Sequence, residues 1–171
     1  MDLFVRLLSA LGESEVRYVV IGVWGANYYA RSSSTLFSTH DRDLFLPLDA
    51  DNLLKAFETC RSLGFKLSAN DEPLEEPLDA SLAKSIVNHN ANVTASHASG
   101  LDVDFVLTMA GHDFELVSSQ KREFRVENIV IPVAKLSHIV ASKAAINREK
   151  DRLFLKTHED ALRMLLKEDE N

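Results

Sequence analysis

The chain has 171 residues, of which 46% are apolar and 26% are charged, a composition typical of a soluble globular protein. Its 19 Lys and Arg against 26 Asp and Glu give a net charge of −7, which argues against a general nucleic-acid binder, because such proteins need a basic surface. The single cysteine, Cys60, excludes a disulfide scaffold. No apolar run reaches the roughly 20 residues that cross a bilayer, so we expect no membrane partner.

The first residues favour an amphipathic helix over 2–11 rather than a signal peptide. Asp2 precedes the apolar stretch, Arg6 interrupts it, and no small-residue cleavage site follows. We therefore expect a cytoplasmic protein.

The rest of the chain mixes strand-like and helix-like segments. Strands are predicted at 16–21, 41–48, 65–67, in a hairpin over 92–107, and at 128–132. Further helices are predicted at 23–30, 50–63, 134–147 and 151–167. Segments 31–38 and 70–79 predict loops, and 80–88 stays ambiguous. This order predicts an α+β fold with a mixed sheet and flanking helices, in which 1–133 form the core and 134–171 pack on it as C-terminal helices, in one compact unit.

The strongest chemical signal is the tripeptide Asp41-Arg42-Asp43. Alternation along a strand puts Asp41 and Asp43 on one face and Arg42 on the other. The following residues, 44–46, are apolar on both faces, as in a strand buried within a sheet. The two carboxylates are therefore expected at the edge of a core.

The same pattern recurs at Asp102-Val103-Asp104, which opens the apolar run 105–107. If the two strands are neighbours, the carboxylates converge, and like charges that close repel. A divalent cation such as Mg²⁺ relieves that repulsion, and hard oxygen ligands suit it. The structural alternative is a solvated turn, or salt bridges from Arg31 or Arg42.

Basic residues interrupt the C-terminal helices. Lys143 lies in an apolar helical stripe, where it either extends its amine to water or reaches a triphosphate. Arg148 and Lys150 sit at a helix junction, where they either bind phosphates or pair with Glu149 and Asp151.

These residues together resemble the nucleotidyltransferase superfamily with the DNA polymerase β-type palm. More narrowly, the chain is similar to the small AbiEii toxin-like nucleotidyltransferases. The stretches that carry the resemblance are VVIGVWGANYYA, THDRDLFLP, DVDFVL and KLSHIVASKAAINREKD.

The resemblance implies three catalytic carboxylates, Asp41, Asp43 and Asp104, which hold Mg²⁺ or Mn²⁺, with Asp102 as the fallback for the third. It also implies a set of nucleotide-binding residues: Gly22, Gly25, Thr39, Lys143, Arg148 and Lys150. The sequence departs from the family pattern in its displaced second glycine, in a long loop before Asp41, and in a serine, Ser38, where an arginine often stands.

The implied activity is transfer of an NMP group from an NTP such as ATP to a hydroxyl of tRNA, a protein or a small molecule such as an antibiotic. A toxin–antitoxin setting and a protein partner or homodimer that completes the site belong to the same expectation. The alternative is a catalytically silent binding protein or antitoxin, and the departures favour it. Dehalogenase-type phosphatases fit less well, because they continue D-x-D-x-T and position 45 here is Phe.

Overall fold

The computed structural model describes residues 1–31 and 36–170, which form a mixed sheet of eight strands with eight helices. The strands are β1 Val19–Ile21, β2 Asp43–Phe45, β3 Lys66–Ala69, β4 Glu72–Pro73, β5 Val93–Ser96, β6 Asp102–Val106, β7 Arg122–Val126 and β8 Ile129–Val133. The helices are α1 Leu3–Glu13, α2 Gly22–Tyr29, α3 Ala50–Ser62, α4 Ala80–Asn88, α5 Phe114–Ser119, α6 Leu136–Ile146, α7 Glu149–Thr157 and α8 Glu159–Glu170.

The sheet confirms the predicted α+β class. Its strand order is β4-β3-β5-β6-β2-β1-β8-β7, with β2–β6 and β1–β8 parallel and the other pairs antiparallel. Strands β2 and β6 are therefore central neighbours, and Asp43 is the register partner of Asp104. The two strands that carry the aspartates are neighbours, as the predicted convergence of the carboxylates requires.

The core lies behind the face that carries these aspartates. Alternate residues of the two central strands, Leu44, Leu46, Val103 and Phe105, are buried and point to the opposite face. Helix α3 packs against both α1 and α4 through buried apolar stripes. Four helices begin at an aspartate whose side chain accepts a hydrogen bond from a first-turn N–H: Asp2, Asp49, Asp79 and Asp113.

Several element bounds differ from the sequence prediction. The strands predicted at 16–21 and 41–48 are shorter in the structure, where they are β1 and β2. Asp41 therefore precedes β2 instead of lying in it. The ambiguous segment 80–88 is helix α4, and the predicted loop 70–79 contains the short strand β4. The serine-rich loop predicted over 31–38 lies partly outside the described residues.

The C-terminal segment forms three helices instead of the two predicted. Helix α6 ends at Asn147, which adopts a left-handed conformation with φ 56°. Asn tolerates this conformation better than most residues, and it breaks the helix before α7. A second break at His158 separates α7 from α8. No helix within the described ranges is long and apolar enough to span a membrane.

Gly25 in α2 illustrates how closely the helices pack. A Cβ atom there would lie 3.2 Å from both the Ile139 side chain of α6 and the Val20 carbonyl oxygen, whereas Gly12 in α1 has open space around it. We expect Gly25→Val to lower the free energy of unfolding by about 1–3 kcal/mol through overpacking. The matched change Gly12→Val should stay within about 0.5 kcal/mol of wild type. Urea denaturation measures both, and equal effects would contradict this packing.

Candidate active site

A cleft of about 1620 Å³ lies over the face of the sheet that carries the aspartates. Alternate residues of three strands line its floor: Asp43 and Phe45, Asp104 and Val106, and Thr94. One wall comes from α6 and α7, and the other from the segment 107–115 after β6. Asp41, Asp43 and Asp104, the three predicted metal-binding residues, therefore all line this one cleft.

The three predicted carboxylates face one another across the floor of this cleft. Burial, together with the charges of Asp104 and Asp41, raises the pKa of Asp43 from 3.8 to about 6. Lys143 and Lys150 act in the opposite direction. The D-x-D segment is held locally, since the Asp41 N–H donates to Thr39 Oγ1 at 3.1 Å. Negative charge is thus concentrated at one point of the cleft.

Asp102, the fallback for the third carboxylate, is placed differently. Its side chain is exposed at the start of β6 and does not line the cleft. Asp104 occupies the position beside Asp43, so it is the better placed of the two.

The donor set fits a divalent cation as an open site. Among the described residues, no group of three or more Asp, Glu, His or Cys side chains is arranged so that it could hold a metal ion by itself. Mg²⁺ is usually held by one or two carboxylates, with water and substrate phosphates as the remaining ligands. A cation at Asp41 and Asp43 would also oppose the repulsion from Asp104 and Asp41, which adds to the effect of burial on the pKa of Asp43.

Neutralisation of the aspartates by Arg31 or Arg42 is not supported. Within the part of the chain that is described, no salt bridge links either arginine to them. The Arg42 guanidinium lies over the Trp24 ring at 4.0 Å and the Phe4 ring at 5.6 Å. Arg31 lies over Tyr28 at 5.8 Å. The contacts of Arg42 hold the D-x-D segment against α1 and α2, through the side of the chain opposite its two aspartates.

The N-terminus of α2 is open to the cleft. Gly22 begins the helix with φ 72°, and a Cβ atom there would lie 2.8 Å from Asp43 Oδ2. The N-cap residue Ile21 supplies no side-chain hydrogen bond, so the first-turn N–H groups stay available near Val23, which lines the cleft. Such a helix end attracts phosphate. Gly25, the second predicted glycine, is buried against Ile139 and does not line the cleft. The close packing of α2 against α6 therefore explains why a residue without a side chain stands there.

An ion triad with a buried central carboxylate joins α6 to α7 on the wall opposite the three aspartates. The Asp151 side chain is 1% exposed and accepts hydrogen bonds from Arg148 Nε at 2.7 Å and from Lys143 Nζ at 3.4 Å. Burial raises the pKa of Asp151, but the Arg148 hydrogen bond and the two positive charges outweigh this, and the net pKa is lowered. Lys143, Arg148 and Lys150 all line the cleft.

The structure bears out the predicted pairing of Arg148 with Asp151 and adds Lys143 to it, while binding of phosphates by the basic residues stays a prediction. Arg148 pairs with Asp151, yet its raised pKa, due mainly to that hydrogen bond, also reflects the charges of Asp43 and Asp41. Lys143 also lies 5.1 Å from the centroid of the Phe154 ring. The cations are anchored by Asp151 and still face the carboxylates.

Sequence reasoning missed two contributors to this site. Thr94 donates to Asp104, and Phe154 lies under Lys143. Neither belongs to a motif. The alternation of β5 could have placed Thr94 on the cleft face, but only with the register of β5 against β6 known.

Comparison with known proteins gives a structural match and no sequence match. No family model matches the chain, and neither does any curated protein sequence. Among solved structures, the chain is similar to the lincosamide antibiotic adenylyltransferase LnuA with lincomycin bound, with a TM-score of 0.58 and 15% identity. The match covers 90% of this chain and 92% of that one. The chain has a nucleotidyltransferase-type fold. The narrower resemblance to AbiEii-like proteins stays a prediction.

Burial of Asp43 beside like charges should make the metal-free protein less stable as pH rises. The folded state, with a pKa of about 6 at Asp43 against 3.8 ordinarily, binds more protons than the unfolded chain between these values. Stability from this group is present at low pH and is lost as pH rises through 6. We expect Asp43→Asn to be more stable than wild type at pH 7.5, by up to about 3 kcal/mol, and the gain to fall to about 0.5 kcal/mol at pH 4.

Urea denaturation in EDTA across pH 4–8 measures this difference. Asp102→Asn is the control, because its side chain is exposed and outside the cleft. A gain from Asp43→Asn that is independent of pH would contradict the electrostatic explanation.

Proposed function

We propose that this chain is a Mg²⁺-dependent nucleotidyltransferase that transfers an NMP group from an NTP to a hydroxyl of a small-molecule acceptor. The supporting observation is the pairing of opposite charges across one cleft. Asp43 and Asp104 lie on its floor, while Lys143 and Arg148 face them from the wall. A triphosphate with its cation needs both kinds of group within a few ångströms.

The nucleotide end of the cleft is assigned from its donors. Asp41 and Asp43 would hold Mg²⁺, which neutralises phosphate charge at the reacting phosphorus when bound. The open N–H groups at the start of α2 bind a phosphate, and Gly22 lets the backbone come close. Lys143 and Arg148 bind the phosphates that leave.

The reaction that fits this arrangement is displacement at the α-phosphorus. The acceptor oxygen forms a bond to that phosphorus, the bond to the bridging oxygen breaks, and pyrophosphate leaves. Asp104 either accepts the proton of the attacking hydroxyl or holds a second cation. Positioning and charge neutralisation supply most of the rate enhancement in such transfers.

The acceptor end of the cleft favours a small molecule over RNA. Its wall carries the carboxylates Asp49, Asp71 and Asp113, which repel a polyanion, in a chain of net charge −7. The similar adenylyltransferase has the small molecule lincomycin bound. The toxin–antitoxin role and a partner or second copy that completes the site remain predictions, without an observation that favours them.

Nucleotide binding tests the proposal directly and separates it from a silent binding protein. We expect ATP, GTP, CTP or UTP to bind by calorimetry only when Mg²⁺ is present, because the open site needs both. Asp41→Ala/Asp43→Ala should abolish this binding. The control Asp102→Ala/Asp160→Ala removes the same charge at exposed positions outside the cleft and should bind as wild type does.

A folded wild type that binds none of the four nucleotides would overturn the proposal. Mg²⁺-independent binding without AMP transfer to any hydroxyl compound would favour the silent alternative. Transfer from labelled ATP to total tRNA, but not to a panel of hydroxylated small molecules, would contradict the acceptor assignment alone.

Loss of the Asp151 charge should weaken the binding of ATP and leave the binding of AMP almost unchanged. Asp151→Asn keeps the shape of the side chain but removes the charge that anchors Lys143 and Arg148. We expect ATP to bind about tenfold more weakly, while AMP, which lacks the leaving phosphates, changes less than twofold; tenfold corresponds to about 1.4 kcal/mol.

Calorimetry with both nucleotides, well below the melting temperature of the variant, measures this split. Asp169→Asn is a matched control, because Asp169 also pairs with an arginine, Arg122, at 2.9 Å, but away from the cleft. A parallel loss for ATP and AMP would show that Asp151 only supports the fold.

A further inference from the structure

Thr94 makes a short hydrogen bond to one of the three candidate catalytic carboxylates. Its hydroxyl Oγ1 donates to Asp104 Oδ1 at 2.6 Å. The two residues are direct partners in the antiparallel pair β5–β6, and both line the cleft. Side chains directly opposite one another on antiparallel strands have Cβ atoms about 5 Å apart, so the register itself brings these groups together.

This bond makes the two carboxylate oxygens of Asp104 inequivalent, because only Oδ1 accepts a hydrogen bond from Thr94. A threonine hydroxyl has one proton to donate, and Thr94 donates it to Oδ1. Among residues 1–31 and 36–170, no other side chain donates to Asp104, and no lysine or arginine forms a salt bridge with it. Oδ2 therefore stays open, and rotation of the carboxylate would break the bond to Oδ1.

The opposite flank of Asp104 faces the D-x-D strand. Asp43 is its register partner on β2, and the charge of Asp104 contributes to the raised pKa of Asp43. Asp104 thus lies between a hydroxyl donor on one side and a carboxylate on the other. A ligand oxygen fixed in this way meets the usual requirement that a partner outside the coordination sphere orients a metal ligand.

We propose that Thr94 is a positioning residue, which holds Asp104 so that Oδ2 is presented to a second divalent cation beside the one at Asp41 and Asp43. This inference rests on the proposed function, because it assumes that nucleotide and cations bind in this cleft. A purely structural role is the competing explanation, since threonine is also a good strand residue.

Two substitutions separate these roles. Thr94→Val keeps the shape and the strand preference of the side chain but removes the hydroxyl, whereas Thr94→Ser keeps the hydroxyl and removes a methyl group. Thr59→Val is the matched control, because the Thr59 hydroxyl donates only to the Lys55 carbonyl oxygen of its own helix, at 2.8 Å, outside the cleft.

The experiment counts bound Mn²⁺ by electron paramagnetic resonance, with an ATP analogue whose α,β-bridging oxygen is replaced by methylene. Wild type and Thr59→Val should bind two ions per nucleotide. In Thr94→Val the first ion should keep its affinity, and the second should bind at least about tenfold more weakly. Thr94→Ser should restore the second ion to within about threefold of wild type.

Each other result has a definite meaning. Two ions bound equally well by Thr94→Val and wild type would overturn the inference, and so would a Thr94→Ser variant as weak as Thr94→Val. Wild type that binds the analogue with one ion would overturn the role of Asp104 as a second-cation ligand but leave the proposed function standing. Wild type that binds neither analogue nor Mn²⁺ would overturn both.

Discussion

The parallel pairing of β2 with β6 is the constraint on which the site depends. It sets Asp43 beside Asp104, an arrangement that like-charge repulsion and burial both disfavour. The same register continues into the apolar pairs Leu44–Phe105 and Phe45–Val106. Burial of these residues stabilises the two strands, and the carboxylates cannot separate without loss of that packing. The core thus maintains a charge arrangement that would not form alone.

The opposite charges come from a distant part of the chain and need their own anchor. Lys143 and Arg148 flank the break between α6 and α7, where Asn147 adopts a left-handed conformation. Asp151, in the first turn of α7, pairs with both cations. Because a buried carboxylate with one partner removed is costly, the triad holds the two helices and the two cations together. The backbone conformation at Asn147 and the placement of these two positive charges in the cleft are therefore coupled.

The sequence allowed prediction of those features that depend on local pattern. The apolar runs after Asp43 and Asp104 predicted two buried strands. Alternation along these strands then predicted that the aspartates lie at the edge of the core. Features that depend on register or on tertiary packing could not be predicted. Thr94 becomes visible only once β5 is aligned with β6, and Gly25 only once α2 is packed against α6. The charged edge strand β7 has no apolar run to reveal it.

The open character of the cation site has a consequence for how nucleotide and metal bind. No group of three or more described Asp, Glu, His or Cys side chains could hold a metal ion by itself, so in the proposed site a triphosphate would have to supply ligands that the protein lacks. A cation alone then gains little from the carboxylates, and a triphosphate alone meets the negative charge of Asp43 and Asp104. Each ligand removes the main obstacle to the other, so their binding free energies are coupled. In this arrangement the raised pKa of Asp43 reflects burial first and then the repulsion from Asp104 and Asp41, which a nucleotide–cation pair would relieve.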